Sequence, residues 1–192
     1  MMNLIGNIIG WGKKITGGSI MYGLRFDGTN DSIQLNTNKT VTGSYELEWV
    51  TPSFEDAFFY PLSGVGVQEF VALSITATYI RNNGGLVTFS VPITPGTVGM
   101  VKKNGSNFEL YQNGILVDTK PIKGNISTSF TVKYGGRYSN GFTEGVIKEL
   151  RIKGDSSEFT FPINEGTGSV TRSTEDPSGV YFNITGATWI PL

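Results

Sequence analysis

NFELYQNGILVDTK, residues 107–120, reads as two alternating strands on either side of Asn113-Gly114. Asn-Gly is the dipeptide best suited to the two positive-φ positions of a type I′ turn, so this stretch predicts a tight β-hairpin. A second reversal is expected just upstream, at Asn104-Gly105. From Met21 onward the chain repeats the same grammar. GSYELEWV (43–50) alternates cleanly, with Tyr45, Leu47 and Trp49 on one face and Glu46 and Glu48 on the other. GLRFDGTNDSIQL (23–35) reads as strand, turn and strand, with Ile33 and Leu35 on one face. Apolar runs at 57–60, 69–75 and 86–91 are punctuated by Pro61, Gly64, Gly84 and Gly85, and FTVKYGG, VIKELRIK and EFTFPI supply further strands. Beyond residue 20 no segment has helical periodicity. Many short strands with frequent turn signals predict an all-β, antiparallel β-sandwich or jelly roll.

Composition agrees and removes several chemistries. The 192 residues are rich in Gly, Thr, Ser, Asn, Val, Ile and aromatics, which suit pleated half-buried surfaces and the turns between them. With 15 basic and 16 acidic residues, no global field favours nucleic acid or an anionic membrane. There is no cysteine, hence no disulfide, thiolate nucleophile or cysteine zinc site. Histidine is also absent, which rules out His-dependent triads.

FPINEGTG (161–168) sets a carboxylate beside two glycines, as a phosphate loop would. A phosphate cradle, however, needs a helix directly after the glycines to aim its free N–H groups. Here β-branched, turn-rich SVTRSTEDPSGVYF follows instead. The stretch therefore reads as a reversal: Phe159, Phe161 and Ile163 turn inward, Gly166 and Gly168 bend the chain, and Glu165 accepts backbone N–H groups.

Residues 1–20 differ from everything after them. Leu4, Ile5, Ile8, Ile9 and Ile15 fall at helical spacing, and ITGGS (15–19) reads as a flexible joint. The run lacks the basic start and small-residue cleavage site of a secretory signal and is too short to span a bilayer. Gly6, Gly10 and Gly12 weaken any free helix by roughly 1 kcal/mol each. The expectation is a short helical or extended arm that either covers an edge of its own body or docks Leu4, Ile5, Ile8, Ile9 and Trp11 into another subunit. Residues 21–192 would then form the sandwich domain.

Four pieces in order, over roughly residues 22–190, resemble one family. LRFDGTNDSIQL is similar to an F-D-G-x-x-D opening strand, and FELYQNGILVDTK to a Y-x-N-G hairpin. EGVIKELRIK is similar to a G-x-I-x-E-[LV]-R-I strand, and the closing stretch to E-G-x-G, D-x-S-G, then G-x-x-W. Together they resemble concanavalin- or laminin-G-like jelly rolls, especially those of bacteriophage virion proteins. That fold hosts lectins, glycanases, adhesion modules and inert virion parts alike.

The resemblance implies functional sites that particular residues of this chain would have to supply. Some glycanases of this fold carry an E-x-D-x-x-E strand; Glu46 and Glu48 match the first two acids, but Thr51 stands where the third belongs. A solvated strand face is therefore expected there, and no enzyme. The family's usual ion is calcium, for which Asp27, Asn30 and Asp31 offer oxygens, whereas calcium takes about six to eight. The same residues serve as ordinary turn formers. For sugar binding, the loop bearing Tyr134, Arg137, Tyr138 and Phe142 is the candidate, against aromatics simply packed on the sheet.

The function the resemblance implies is a virion structural or accessory protein, a capsid decoration or tail component assembled in a host cytoplasm. It would dock to other virion proteins through the arm, as an oligomer within the assembly. A carbohydrate-binding adhesion module directed at host surface glycan is the alternative, with a glycan hydrolase behind it. No resident cofactor, nucleic acid or membrane span is expected.

Overall fold

The computed structural model describes residues 21–29, 31–36, 39–40, 44–62, 70–74, 78–82, 85–123, 129–135, 137–138, 141–142, 144–154 and 158–192. The expected N-terminal arm, with Leu4, Ile5, Ile8, Ile9 and Trp11, lies outside them. In chain order the strands are β1 (Tyr22–Asp27), β2 (Ser32–Leu35), β3 (Lys39–Thr40), β4 (Tyr45–Val50), β5 (Ser53–Leu62), β6 (Phe70–Ser74) and β7 (Thr78–Asn82). There follow β8 (Gly85–Phe89), β9 (Val98–Asn104), β10 (Asn107–Gln112), β11 (Ile115–Pro121), β12 (Ser129–Gly135), β13 (Arg137–Tyr138) and β14 (Gly141–Phe142). The last are β15 (Glu144–Ile147), β16 (Glu149–Lys153), β17 (Glu158–Phe161), β18 (Val170–Arg172), β19 (Tyr181–Thr185) and β20 (Thr188–Pro191). Among the described residues there is no helix.

All pairings are antiparallel. One sheet runs β11-β10-β9-β4-β16-β17; the larger one runs β18-β19-β2-β12-β5-β15-β1-β20, with β6, β7 and β8 extending from β5. Their inner faces share one core. Trp49 and Phe108 of the smaller sheet and Leu24, Phe26 and Ile33 of the larger are fully buried. Across the gap the rings of Phe161 and Phe182 meet edge to face, 4.5 Å between centroids. The chain is thus an antiparallel β-sandwich of jelly-roll type, as its periodicity predicts.

The decisive hairpin forms as read: β10 and β11 flank Asn113 (φ 52°) and Gly114 (φ 76°), the two positive values a type I′ turn needs. The upstream reversal sits one residue later than expected. Asn104 stays in the ladder opposite Asn107, and Gly105, at φ 57°, takes the first turn position. Asn104 is held there because its Nδ2 donates to Glu109 Oε1 at 2.9 Å.

β11 and β17, the outer strands of the smaller sheet, are each fastened by a carboxylate. The Ser90 N–H donates to Asp118 Oδ2 at 2.7 Å, and Lys120 Nζ donates to Ser90 Oγ at 3.0 Å, joining β11 to the chain leaving β8. On the opposite side the Thr160 N–H donates to Glu175 Oε2 at 2.7 Å, and the Thr174 N–H donates to the Thr160 carbonyl at 2.9 Å. Fastening of this kind withholds sheet edges from other strands.

The FPINEGTG stretch is a structural reversal. Glu165 Oε1 accepts the Arg172 N–H at 2.9 Å, as anticipated, and Gly166 (φ 72°) lies against the Tyr22 ring, where a Cβ would come within 2.8 Å. Ile163 is fully buried at φ 46°, a left-handed conformation costly for a β-branched residue. Burial of its side chain offsets that cost.

Candidate functional site

Because side chains alternate along a strand, the partners of the core residues on the smaller sheet form a second, outward face. The registers line them up. Leu116 pairs with Tyr111, Tyr111 with Met100, Met100 with Glu48, Glu48 with Arg151, and Arg151 with Thr160. This row crosses six strands and, at about 4.8 Å per strand, runs some 24 Å. It is apolar and aromatic at the β11 end, ionic at β4 and β16, and ends on the buried Thr160 of β17. Beside it runs a second row, Thr119–Glu109–Lys102–Glu46–Lys153–Glu158.

Arg151 is the hub. Its Nε donates to Glu48 Oε1 at 3.1 Å, Nη2 to Glu48 Oε2 at 3.2 Å, and Nη1 to Glu158 Oε1 at 3.0 Å. Glu46 Oε2 lies 3.5 Å from Nη2, and its other oxygen is 3.2 Å from Lys102 Nζ. Burial works to lower the guanidinium's pKa, but Glu158 and Glu48 outweigh it and hold the value above the ordinary one. At the other end Glu109 accepts from Asn104 and Tyr111, and those bonds set its pKa below the usual carboxylate range. The same bond, donated by the Tyr111 hydroxyl at 2.8 Å, raises the phenol. Glu149, one alternation along β16 from Arg151, is pushed up first by burial and then by Glu48.

Glu46 and Glu48 therefore share a face, as their spacing predicts, but both are engaged by Arg151. Retaining hydrolysis asks one carboxyl of such a pair to hold a proton about 5 Å from its partner. Two carboxylates bracketing a guanidinium are arranged as fixed acceptors. Thr51 is buried outright and stands apart from them. The sequence reading missed Arg151, Lys102 and Tyr111. ELRIK does show Glu149, Arg151 and Lys153 in alternation, but nothing local announces that β16 lies beside β4.

Of the proposed sugar loop, Tyr134 lies on β12 opposite Ile33, and Arg137 pairs with Phe142 across β13 and β14, with Tyr138 opposite Gly141. The backbone thus brings Arg137 and Phe142 side by side; the four side chains lie outside the described residues.

The FDGTND turn is built from its own acids. Asp27 Oδ1 accepts the Thr29 N–H at 2.9 Å, and Asp31 Oδ2 accepts the Asp27 N–H at 2.8 Å; Asn30 is outside the described residues. Asp31 is nearly fully buried, against Gly186, where any Cβ would collide with its Oδ1. Burial raises the Asp31 pKa, whereas the Thr29 backbone bond lowers that of Asp27. A raised folded-state carboxyl stabilises below its unfolded value and loses that contribution as pH climbs through the folded value. Asp31→Asn keeps the acceptor for Asp27 and sheds the buried charge. Its melting temperature should exceed the parent's at pH 7, and the gap should close below about pH 4. Equal gaps at both pH values would defeat this account.

No protein-family model matches the chain, and no curated protein does. Solved structures that share some of its shape include the following two. A carbohydrate-binding module, CBM66 from Bacillus subtilis, is 14% identical with a TM-score of 0.38, over 64% of this chain and 82% of that one. The PL7 alginate lyase AlyA1 from Zobellia galactanivorans is 13% identical with a TM-score of 0.22, over 91% of this chain and 63% of that one. Likenesses this distant assign neither ligand nor activity.

Proposed function

We propose that this chain is a carbohydrate-binding β-sandwich and that the row from Leu116 to Thr160 is its binding surface. One observation carries the reading: a single face sets an aromatic ring and two apolar side chains beside carboxylates whose positions a guanidinium fixes. Sugars ask for that combination. Their ring faces are apolar enough to lie on Tyr111 and Met100, and their hydroxyls need acceptors held in place beforehand, which reduces the entropy lost on binding. Because these acceptors stand on strands and are pinned by Arg151, they form a rigid site.

The test is a glycan array followed by calorimetry on the best ligand. Glu48→Gln should weaken binding roughly tenfold or more, the size expected for one hydrogen bond to a charged group, and Tyr111→Ala should weaken it comparably by removing the ring on which the sugar face lies. Hydrogen–deuterium exchange should show protection in β4, β9 and β16 when the ligand binds. Failure to bind any glycan, or binding untouched by both variants, would sink the proposal. The virion expectation rests on the resemblance and on the apolar run of residues 1–20, and neither the described residues nor the comparisons favour it.

A further inference from the structure

We infer that the row selects sugars bringing hydrogen-bond donors without negative charge, amino sugars above all, and rejects uronates and sulfated glycans. This deepens the proposed carbohydrate reading and rests on it. The argument is an inventory of donors and acceptors. The three cations on the two rows already face carboxylates: Arg151 faces Glu46, Glu48 and Glu158, Lys102 faces Glu46, and Lys153 faces Glu158 at 3.7 Å. The Tyr111 hydroxyl and one N–H of the Asn104 amide both donate to Glu109 as well. What the face offers a ligand is therefore acceptor capacity, because each ionised carboxylate has about four lone-pair sites and the bonds above use only some of them.

Charge points the same way. On the two rows Glu46, Glu48, Glu109 and Glu158 set four negative charges against the three positive ones, a net of one negative. A uronate would meet these carboxylates with no uncommitted cation to receive it. An ammonium on a sugar ring meets attraction and supplies three donors. Like charges brought together near a protein surface repel, and opposite charges attract, strongly enough to decide between the two classes.

Four tetrasaccharide-sized probes test this by calorimetry at pH 6 and low salt: a glucosamine oligomer, its N-acetylated form, an alginate oligomer, and tetralysine as a non-sugar cation. The glucosamine oligomer should bind at least tenfold more tightly than the N-acetylated one, and its lead should shrink as salt is raised. Alginate should not bind. Glu48→Gln and, separately, Glu109→Gln should narrow the glucosamine preference, two positions guarding against one variant's misfolding. Alginate binding more tightly than glucosamine would overturn the inference while leaving a sugar site standing. Tetralysine matching the glucosamine oligomer would overturn it as mere charge attraction. Silence from all three sugars would remove the sugar reading itself.

Discussion

Trp49→Ala is expected to cost about 3–5 kcal/mol, the largest single loss this fold offers. The indole, near the C-terminal end of β4, is fully buried, and its cross-strand partner on β9 is Gly99. That pairing is a fit of shape: a Cβ at Gly99 would lie 2.6 Å from the indole nitrogen. Removing the ring leaves a cavity that the two flanking strands cannot close, since their ladders fix the spacing at about 4.8 Å. The melting temperature should fall by roughly 6–20 °C, at about 2–4 °C per kcal/mol for a chain of this size. Gly99→Ala, approached from the other side, overpacks the same contact and should cost about 1–3 kcal/mol. The pair makes a double-variant cycle. In a Trp49→Leu background the alanine at 99 should become nearly neutral, because the atoms it struck are gone. Strict additivity in urea melts would show that the two residues do not share one space.

Arg151→Met should be the second costly change, and its signature is pH dependence. Methionine keeps most of the aliphatic bulk but leaves Glu46, Glu48 and Glu158 facing one another. Breaking a fully buried pair costs about 3–5 kcal/mol; here the carboxylate side chains keep 17%, 20% and 36% of their exposure, so solvent screens part of the repulsion. A loss of about 2–3 kcal/mol at pH 7 is the discounted expectation. The deficit should shrink as pH falls towards 4, where carboxylates as a class take up protons and the repulsion relaxes. Adding Glu48→Gln should restore part of the stability at pH 7. A deficit constant from pH 7 to pH 4 would mean that packing, and no charge balance, is what Arg151 supplies.

The strands were legible because their signals are local. Alternation in YELEWV set Leu47 and Trp49 against Glu46 and Glu48, and Asn113-Gly114 placed a turn within two residues. The candidate site was half legible. Glu46 and Glu48 could be named and placed on one face, but their meaning depends on Arg151, 103 positions from Glu48 in the chain. No periodicity reveals which strand lies beside which, since register across a crossover is decided by how whole sheets close on their core. The same limit misplaced the upstream turn. Asn104-Gly105 looks like a turn dipeptide, yet Asn104 prefers the ladder because Glu109, on the neighbouring strand, takes its amide.

The clamps at Ser90–Asp118 and Thr160–Glu175 have a consequence for handling the protein in acid. Burial pushes both carboxyls up, but hydrogen bonds from the Ser90 and Thr160 amides pull them further down, and both end below the ordinary carboxylate value. A depressed folded-state value means that the stabilisation is complete at neutral pH and disappears only as pH falls through that value. Once both carboxyls are protonated, the Ser90 and Thr160 amides lose their charged acceptors and the two outer strands are held less firmly, with Ile115 and Leu116 already uncovered at the start of β11. Strong acid should therefore loosen β11 and β17 before the core itself melts, seen as amide exchange that rises first in those two strands.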